Sequence, residues 1–221
     1  SAPSENYPFC TIEPNVGIVQ VPDPRLDKVH ALAGAASKVP TSIQFVDIAG
    51  LVAGASEGEG LGNKFLGNIR EVDAIVHVLR CFEDPDVTHV LGGVDPVRDR
   101  DIVNTELALA DLESVERRLE RVVKKARSGE KEAQKELALL ERVRGDLAEG
   151  RRLVGMRMDE AERVLLRSFQ LLTARPQLYV ANVAESDLPS GTNAWSTALR
   201  EVLGREEPGA HLVPVCSAIE A

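Results

Sequence analysis

The stretch FVDIAGLVAGASEGEGLGNKFL (residues 45–66) joins the end of an apolar run to a segment that is rich in glycine. The run ends on a carboxylate, Asp47, and the glycines that follow are Gly50, Gly54, Gly58, Gly60 and Gly62. Ligands of open α/β sheets bind beyond the carboxyl ends of the strands. Glycine has no Cβ, so such a loop can approach a ligand closely. The stretch therefore predicts a strand followed by a ligand-binding loop or, as the alternative, by a flexible surface loop.

Composition and charge limit the class of protein. With 221 residues, we expect one hydrophobic core with a possible insertion. A net charge of -9 argues against a protein whose whole surface binds nucleic acid, although a local basic face remains possible, and we expect no specific DNA partner. The cysteines (Cys10, Cys81 and Cys216) lack the spacing of a zinc site and suit a reducing compartment. Because no apolar run is long enough to cross a bilayer, we expect a cytoplasmic protein that does not bind membranes.

Strand-like and helix-like segments alternate over much of the chain. The strand-like segments, rich in β-branched and aliphatic residues, are Gly17–Val21, Ser42–Asp47, Ala74–Leu79, Leu178–Asn182 and Leu212–Cys216. The last three are almost continuously apolar, which is typical of strands covered on both faces, and His77 within them is predicted to be a core residue with satisfied ring nitrogens. Helical patterns cover Asn63–Val72 and Thr192–Leu203. The alternation predicts an α/β fold with a mostly parallel sheet.

The middle of the chain has a helical period instead. A helix is predicted from Asp101 to about Arg127, with one apolar stripe that consists of Leu112, Val115, Leu119 and Val122. A second stripe consists of Ala133, Leu137, Leu140 and Leu147. A turn at Gly129 separates them, and a third helix is predicted near Asp159–Gln170. We therefore expect an antiparallel helical hairpin at 103–168, inserted into a sheet domain formed by 1–102 and 169–221.

The stretch DIAG (residues 47–50) fits the D-x-x-G pattern of P-loop nucleotidases. In that pattern the aspartate organises the water shell of Mg²⁺, and the glycine amide approaches the terminal phosphate. The pattern is weak alone, since a glycine-rich surface loop also satisfies it.

Three further stretches follow the order of the switch and base-recognition elements in a GTPase-type domain. Thr11 stands between prolines, where its hydroxyl could join the Mg²⁺ shell. Asn182 ends a buried strand, with Glu185 three residues on, and Ser217-Ala218 ends another strand. Each has a structural alternative: a turn between prolines, an asparagine cap and a Ser-Ala turn. Their common order favours a nucleotide site.

Four segments together resemble the YchF/Obg-like ATPase family: NYPFCTIEPN (6–15), the glycine-rich stretch (45–66), RCFEDPDVTHVLGGVDP (80–96) and NTELALADLE (104–113). The resemblance extends from about Ser4 to Glu220. It implies a Ras-like P-loop NTPase fold with an inserted coiled-coil hairpin and a C-terminal TGS domain. It also implies that ATP is preferred over GTP, that Mg²⁺ is required, and that the protein associates with ribosomes in translation or stress response.

The resemblance also assigns roles to single residues. The Mg²⁺ ligands would be Thr11 and Asp47, the amide near the terminal phosphate that of Gly50, and the nucleotide-binding residues Asn182, Val183, Glu185, Ser217 and Ala218. The stretch NVAE (182–185) stands where related GTPases have N-K-x-D. The aspartate of that motif accepts two hydrogens from guanine that adenine does not offer. Its replacement by Glu185 therefore favours ATP.

The residue after D-x-x-G is Leu51, where many GTPases have a glutamine that orients the attacking water. Leucine cannot do this, and His89 resembles the family's candidate for the role. The glycines that follow, Gly92 and Gly93, would let its loop reach the site. The alternative is a histidine that makes a local hydrogen bond.

The phosphate-binding motif G-x-x-x-x-G-K-[ST] does not occur in the sequence. The family has this loop upstream of the Thr11 segment and a TGS domain after Glu220. We therefore expect this chain to be an internal piece of a longer protein and to be inactive alone, since the missing loop holds the phosphates.

Six basic residues lie near the predicted hairpin tip: Arg117, Arg118, Arg121, Lys124, Lys125 and Arg127. They could contact ribosomal RNA, or they could form a solvated face paired with Glu113, Glu116 and Glu120. Three functions stay open at this point. They are a slow ribosome-associated ATPase, an Obg-type GTPase and a non-catalytic ribosome-binding module that has lost its phosphate loop.

Overall fold

The computed structural model describes residues 15–48, 67, 69–84 and 92–220. The chain divides into two compact units, Ser1–Gly50 and Leu51–Ala221. Several sequence predictions (Thr11, Gly50, Leu51, His89 and half of the helix at Asn63–Val72) lie outside the described residues.

In its described part, residues 15–48, the first unit contains a two-stranded antiparallel sheet and one helix. Strand β1 (Asn15–Gln20) pairs with β2 (Ser42–Asp47), and α1 (Pro24–Ala33) connects them. The side chain of Asp23 accepts a hydrogen bond from the Arg25 amide at the start of α1, and a proline follows the cap. The predicted bounds of β2 are confirmed, whereas β1 begins two residues earlier than predicted.

The second unit contains a parallel sheet in the order β3-β4-β5. Its strands are β3 (Ile75–Cys81), β4 (Gln177–Val183) and β5 (His211–Val215). Ile75 pairs with Gln177, and Leu178 pairs with His211. The prediction of a mostly parallel α/β sheet is confirmed.

Among the residues that the structure describes, only one face of this sheet is well covered. Leu79 and Tyr179 are buried on that face, in a cluster with Leu199 and Leu203. On the other face Val76, Val78 and Val213 are 40%, 66% and 42% exposed. Full coverage of both faces was the expectation, and it does not hold for the described part of the chain. Continuously apolar strands are typical of two covered faces, but the strand sequence does not say which segment supplies each cover.

The second unit also contains the helices α2 (Pro96–Arg127), α3 (Lys131–Ala148), α4 (Glu160–Arg167), α5 (Ala194–Glu206) and α6 (Ser217–Glu220). A 3₁₀ turn covers Glu185–Asp187. Helix α2 begins five residues earlier than the predicted Asp101 because Asp95 caps it, accepting from the Arg98 amide, and Pro96 follows at the first position. In the described part of the chain no helix is long and apolar enough to cross a membrane.

Helices α2 and α3 pack as an antiparallel hairpin joined by a turn at 128–130. Their shared core contains Val115, Leu119, Val122, Ala126, Ala133, Leu139, Leu140, Val143 and Leu147. Two residues of the predicted stripes, Leu112 and Leu137, pack at the edge of this core rather than inside it. The N-terminal part of α2 packs on the sheet instead, because Val97 contacts the cluster around Leu79. One continuous helix therefore serves two hydrophobic cores.

His77 is in the core, but it is not satisfied as predicted. Its ring is buried against Tyr179, with the centroids 5.3 Å apart. Among the described residues, neither ring nitrogen has a hydrogen-bond partner. Burial, with the charges of Arg152 and Arg100 adding to it, lowers the pKa of His77 to about 4. The residue is therefore a neutral core side chain at physiological pH.

Candidate functional site

Two predicted site residues meet at the carboxyl edge of the parallel sheet. Asn182 is the penultimate residue of β4, and Ser217 is the first residue of α6, just after β5. The amide and the hydroxyl of Ser217 both donate to Asn182 Oδ1, at 3.1 Å each. Parallel strands place their carboxyl ends together, so the sheet itself brings these two distant segments into contact.

The contact leaves one end of Asn182 available. Its oxygen accepts both Ser217 bonds, and among the described residues its amide nitrogen has no partner. An amide NH₂ group pairs with acceptors such as the ring nitrogens of a purine. Adenine and guanine both carry such nitrogens, so a free amide group of this kind has the chemistry to pair with either base.

Two carboxylates lie in the 3₁₀ turn after β4, and they differ in their partners. Asp187 Oδ2 accepts from Asn193 Nδ2 at 2.8 Å, and the same nitrogen donates to the Cys81 carbonyl at 2.7 Å. Glu185 is exposed and has no side-chain hydrogen bond with the described residues. Of these two carboxylates, only that of Glu185 is without a hydrogen-bond partner among the described residues. Asp187 instead holds the turn against β3 and α5 through Asn193.

Val183 and Ala218 have different surroundings. The Val183 side chain is 1% exposed and packs in a cluster with Cys81 and Ala181. It therefore cannot contact a ligand, and only its backbone could. Ala218 is exposed beside Ser217. Asn193 donates to Asp187, and its side chain caps α5 by accepting from the Ser196 amide. The sequence analysis did not identify this residue.

Asp47 is the last residue of β2, as predicted, and it is exposed. It belongs to the first unit, whereas Asn182 and Ser217 belong to the second. Within the described ranges no group of three His, Cys, Asp or Glu side chains could hold a metal ion. A carboxylate is nonetheless the kind of hard oxygen ligand that Mg²⁺ requires, so Asp47 fits that cation.

The loop between the 3₁₀ turn and α5 packs directly on β5. Gly191 has a φ of +62°, and a Cβ at this position would lie 2.6 Å from Pro214 Cγ. Both the backbone conformation and the available space therefore require glycine.

We expect Gly191→Ala to lower the free energy of unfolding by about 2–4 kcal/mol, through left-handed strain and a clash with Pro214. Gly150→Ala is the matched control, because Gly150 has a φ of +70° with nothing within 4 Å of the added Cβ. Gly150→Ala should lower the free energy of unfolding by only about 1–2 kcal/mol, through left-handed strain alone. Denaturant unfolding measures both, and equal losses would show that the Pro214 contact is unimportant.

Comparison with known proteins identifies the relatives of this chain. Residues 1–125 match the family described as 50S ribosome-binding GTPase. The ribosome-binding ATPase YchF of Haemophilus influenzae is 50% identical over 216 residues, which is 98% of this chain and 58% of that protein. The Bacillus subtilis protein of the same name is 47% identical over 222 residues, which is 100% of this chain and 60% of that protein.

A solved structure agrees with the sequence relatives. The Schizosaccharomyces pombe YchF GTPase superposes with a TM-score of 0.76 at 36% identity, over 97% of this chain and 58% of that one. The chain thus spans about three fifths of the length of the relatives that it matches. The parallel β3-β4-β5 sheet and its helices belong to a Ras-like P-loop NTPase fold. This chain is a member of the YchF/Obg-like ATPase family, within the 50S ribosome-binding GTPases.

Proposed function

We propose that this chain is part of a nucleotide-dependent switch protein that binds and slowly hydrolyses ATP with Mg²⁺ and associates with ribosomes. The observation that carries the proposal is the Asn182–Ser217 contact at the carboxyl edge of a parallel sheet, where such folds bind nucleotides. Relatives named ribosome-binding ATPase support the partner and the reaction. The proposal includes a cytoplasmic location, with residues 1–102 and 169–221 as the nucleotide-binding domain and 103–168 as an inserted hairpin.

The preference for ATP over GTP rests on the two carboxylates after β4. Asp187 already accepts a hydrogen bond from Asn193. It therefore does not take the role of the aspartate that binds guanine in other GTPases. Glu185 is free, but it is longer and stands where the motif has an aspartate. Guanine would therefore gain little binding free energy from these carboxylates, whereas the Asn182 amide nitrogen would donate to either purine. A GTPase of the Obg type is the alternative, because the S. pombe relative is described as a GTPase.

In this proposal the site has a metal part and a water-positioning part. Asp47 and Thr11 would hold Mg²⁺, which neutralises phosphate charge when bound. The Gly50 amide would approach the terminal phosphate, and His89 would position the attacking water because Leu51 cannot. The motifs of the sequence support these roles. A role in stress response is part of the same proposal.

The hairpin is the proposed ribosome contact, although its six basic residues are not equivalent. Arg117 lies 3.6 Å from Glu113, and Arg118 pairs with Glu136 while stacking 4.3 Å above the Phe169 ring. The other four are exposed and have no ion pair within the described ranges: Arg121, Lys124, Lys125 and Arg127. We define these four residues as the basic tip. Unpaired cations on an exposed helix end are available to phosphates.

Reversing the charge of the basic tip should weaken ribosome binding at least tenfold and flatten its salt dependence, because each phosphate contact releases counterions. Co-sedimentation of the full-length natural protein with ribosomes, with ATP present, measures this. The control reverses the same number of exposed arginines elsewhere: Arg144, Arg167, Arg200 and Arg205. If both variants bind alike, the basic tip is not the contact.

A further inference from the structure

A side chain outside the predicted nucleotide motifs connects three segments at the carboxyl edge of the parallel sheet. Asn193 stands just before α5, and its side-chain oxygen accepts from the Ser196 amide at 2.9 Å. Its Nδ2 donates to the Cys81 carbonyl, at the end of β3, and to Asp187 Oδ2 in the 3₁₀ turn. An amide nitrogen has two N–H donors, which matches the two acceptors that Asn193 contacts.

Asp187 in turn organises the backbone of its own segment, residues 184–191, which we call the β4–α5 turn. The Asp187 amide donates to the Ala184 carbonyl at 3.0 Å, and the Asp187 carbonyl accepts from the Gly191 amide at 2.7 Å. Both ends of the turn are therefore bonded to the residue whose side chain Asn193 holds. A shift of Asp187 would shift its neighbours in the turn.

The β4–α5 turn carries Glu185, three residues after Asn182. The Glu185 side chain is exposed and makes no hydrogen bond with the described residues. Its backbone is held, since its carbonyl accepts from the Leu188 amide at 3.2 Å. The position of the Glu185 carboxylate relative to Asn182 is therefore set by the turn and not by contacts of the carboxylate itself.

The position of a carboxylate at this edge decides how well it distinguishes the purines. Guanine offers two adjacent hydrogens that one carboxylate accepts together, and adenine does not offer this pair. A carboxylate that is free to move would adjust to guanine, whereas one that is held at a different offset would not. Rejection of the wrong base therefore requires a turn that does not adapt.

We propose that Asn193 is a positioning residue that makes the proposed base site selective for adenine over guanine, by holding the turn that carries Glu185. Its two donor bonds fasten Asp187 to the end of β3, which neighbours β4 in the sheet. The bond to the Asp187 carboxylate is charge-assisted, and such bonds are about twice as strong as neutral ones. The inference rests on the proposed function, since it requires a nucleotide base at this edge.

Two substitutions remove the donors of Asn193 and keep the helix cap. In Asn193→Asp an oxygen replaces the donor nitrogen, so the Asp187 carboxylate and the Cys81 carbonyl would both repel it. In Asn193→Ser the side chain is too short to reach either acceptor. Aspartate and serine are about as favourable as asparagine at the start of a helix, so α5 should form in both variants.

The test is competition binding on the full-length natural protein with Mg²⁺, in which ATP or GTP displaces ATP that carries a fluorescent label on its ribose. The readout is the dissociation constant of GTP divided by that of ATP, because a merely structural loss would weaken both nucleotides alike. We expect a wild-type ratio of at least about five, in favour of ATP. In Asn193→Asp and Asn193→Ser the ratio should fall to within about twofold of unity, because guanine gains an adjustable acceptor.

Ser196→Ala is the matched control. Ser196 Oγ accepts from the Asn193 amide at 2.9 Å, so this substitution weakens the start of the same helix and leaves both donors of the Asn193 side chain in place. It should keep the wild-type ratio. If the Asn193 variants do not fold, Asp187→Ala removes one of the same bonds from the other side, and its ratio should fall at least about threefold.

The outcomes separate the two proposals. A wild-type protein that binds neither nucleotide would overturn the proposed function, and a wild-type ratio below about five would overturn the proposed preference for ATP. The role of Asn193 fails with either of them. If the wild-type ratio is as expected and Asn193→Ser retains it, or Asp187→Ala retains it in its place, the role of Asn193 alone is overturned. An equal fall in Ser196→Ala would also overturn it, since the helix start and not the two donors would then set the ratio.

Discussion

We expect Asp111→Ala to lower the free energy of unfolding by about 3–5 kcal/mol, the largest stability effect of any substitution considered. Asp111 is completely buried in α2, and it accepts from the Leu172 amide at 2.9 Å and from the Thr173 amide and hydroxyl at 2.8 Å each. Alanine would leave three buried donors without acceptors, and each costs about 1–3 kcal/mol.

Asp111→Asn and Asp146→Ala are the controls. Burial raises the pKa of the Asp111 carboxyl, and its hydrogen bonds to Thr173 and Leu172 oppose that rise. Asparagine keeps the shape and one acceptor oxygen, so it should lose about half as much stability. Asp146, in the same hairpin, pairs with Arg151 near the surface, and removing it should cost less than about 1 kcal/mol. If Asp111→Ala lowers the free energy of unfolding by less than 1 kcal/mol, the hydrogen bonds of Asp111 do not stabilise the hairpin.

His77 should make the protein less stable in mild acid. Because its folded pKa is about 4 and its unfolded pKa about 6.5, the unfolded chain binds the proton more readily. The stability associated with neutral His77 is complete above pH 6.5, falls as the pH drops and is lost near pH 4. Over this range the loss is about 3 kcal/mol, at about 1.4 kcal/mol per pH unit.

His77→Phe separates this effect from other titrations. Within the described ranges both ring nitrogens of His77 lack a hydrogen-bond partner. An apolar ring would therefore remove two unsatisfied polar atoms, and it would also remove the group that takes up a proton. Unfolding measured between pH 4 and pH 7 should show a shallower pH slope in the variant, with stability at pH 7 equal to or above wild type. A variant with the wild-type slope would mean that His77 is not the titrating group.

The sequence was sufficient to predict features that depend on local patterns. The ends of β2, the parallel sheet and the hairpin follow from residue types at fixed spacing, and the structure confirms them. The start of α2 was missed although Asp95-Pro96 is a normal start signal, because the prediction followed the apolar stripe instead of the cap.

Features that depend on distant pairs could not be predicted. Asn193 donates to a carbonyl 112 positions earlier, and Asp111 accepts from amides 61 and 62 positions later. No local pattern identifies either contact. His77 shows the same limit, since its position in an apolar strand indicates burial but not whether its nitrogens find partners.

The most direct test of the central claim is calorimetric titration of Mg²⁺-ATP and Mg²⁺-GTP into the full-length natural protein and its Asn182→Ala variant. Asn104→Ala is the control, because Asn104 contacts Gln177 at the opposite end of β4. We predict that ATP binds more tightly than GTP, that Asn182→Ala weakens ATP binding at least tenfold, and that Asn104→Ala leaves it unchanged. Wild-type ATP affinity in Asn182→Ala would contradict a nucleotide site at this edge of the sheet.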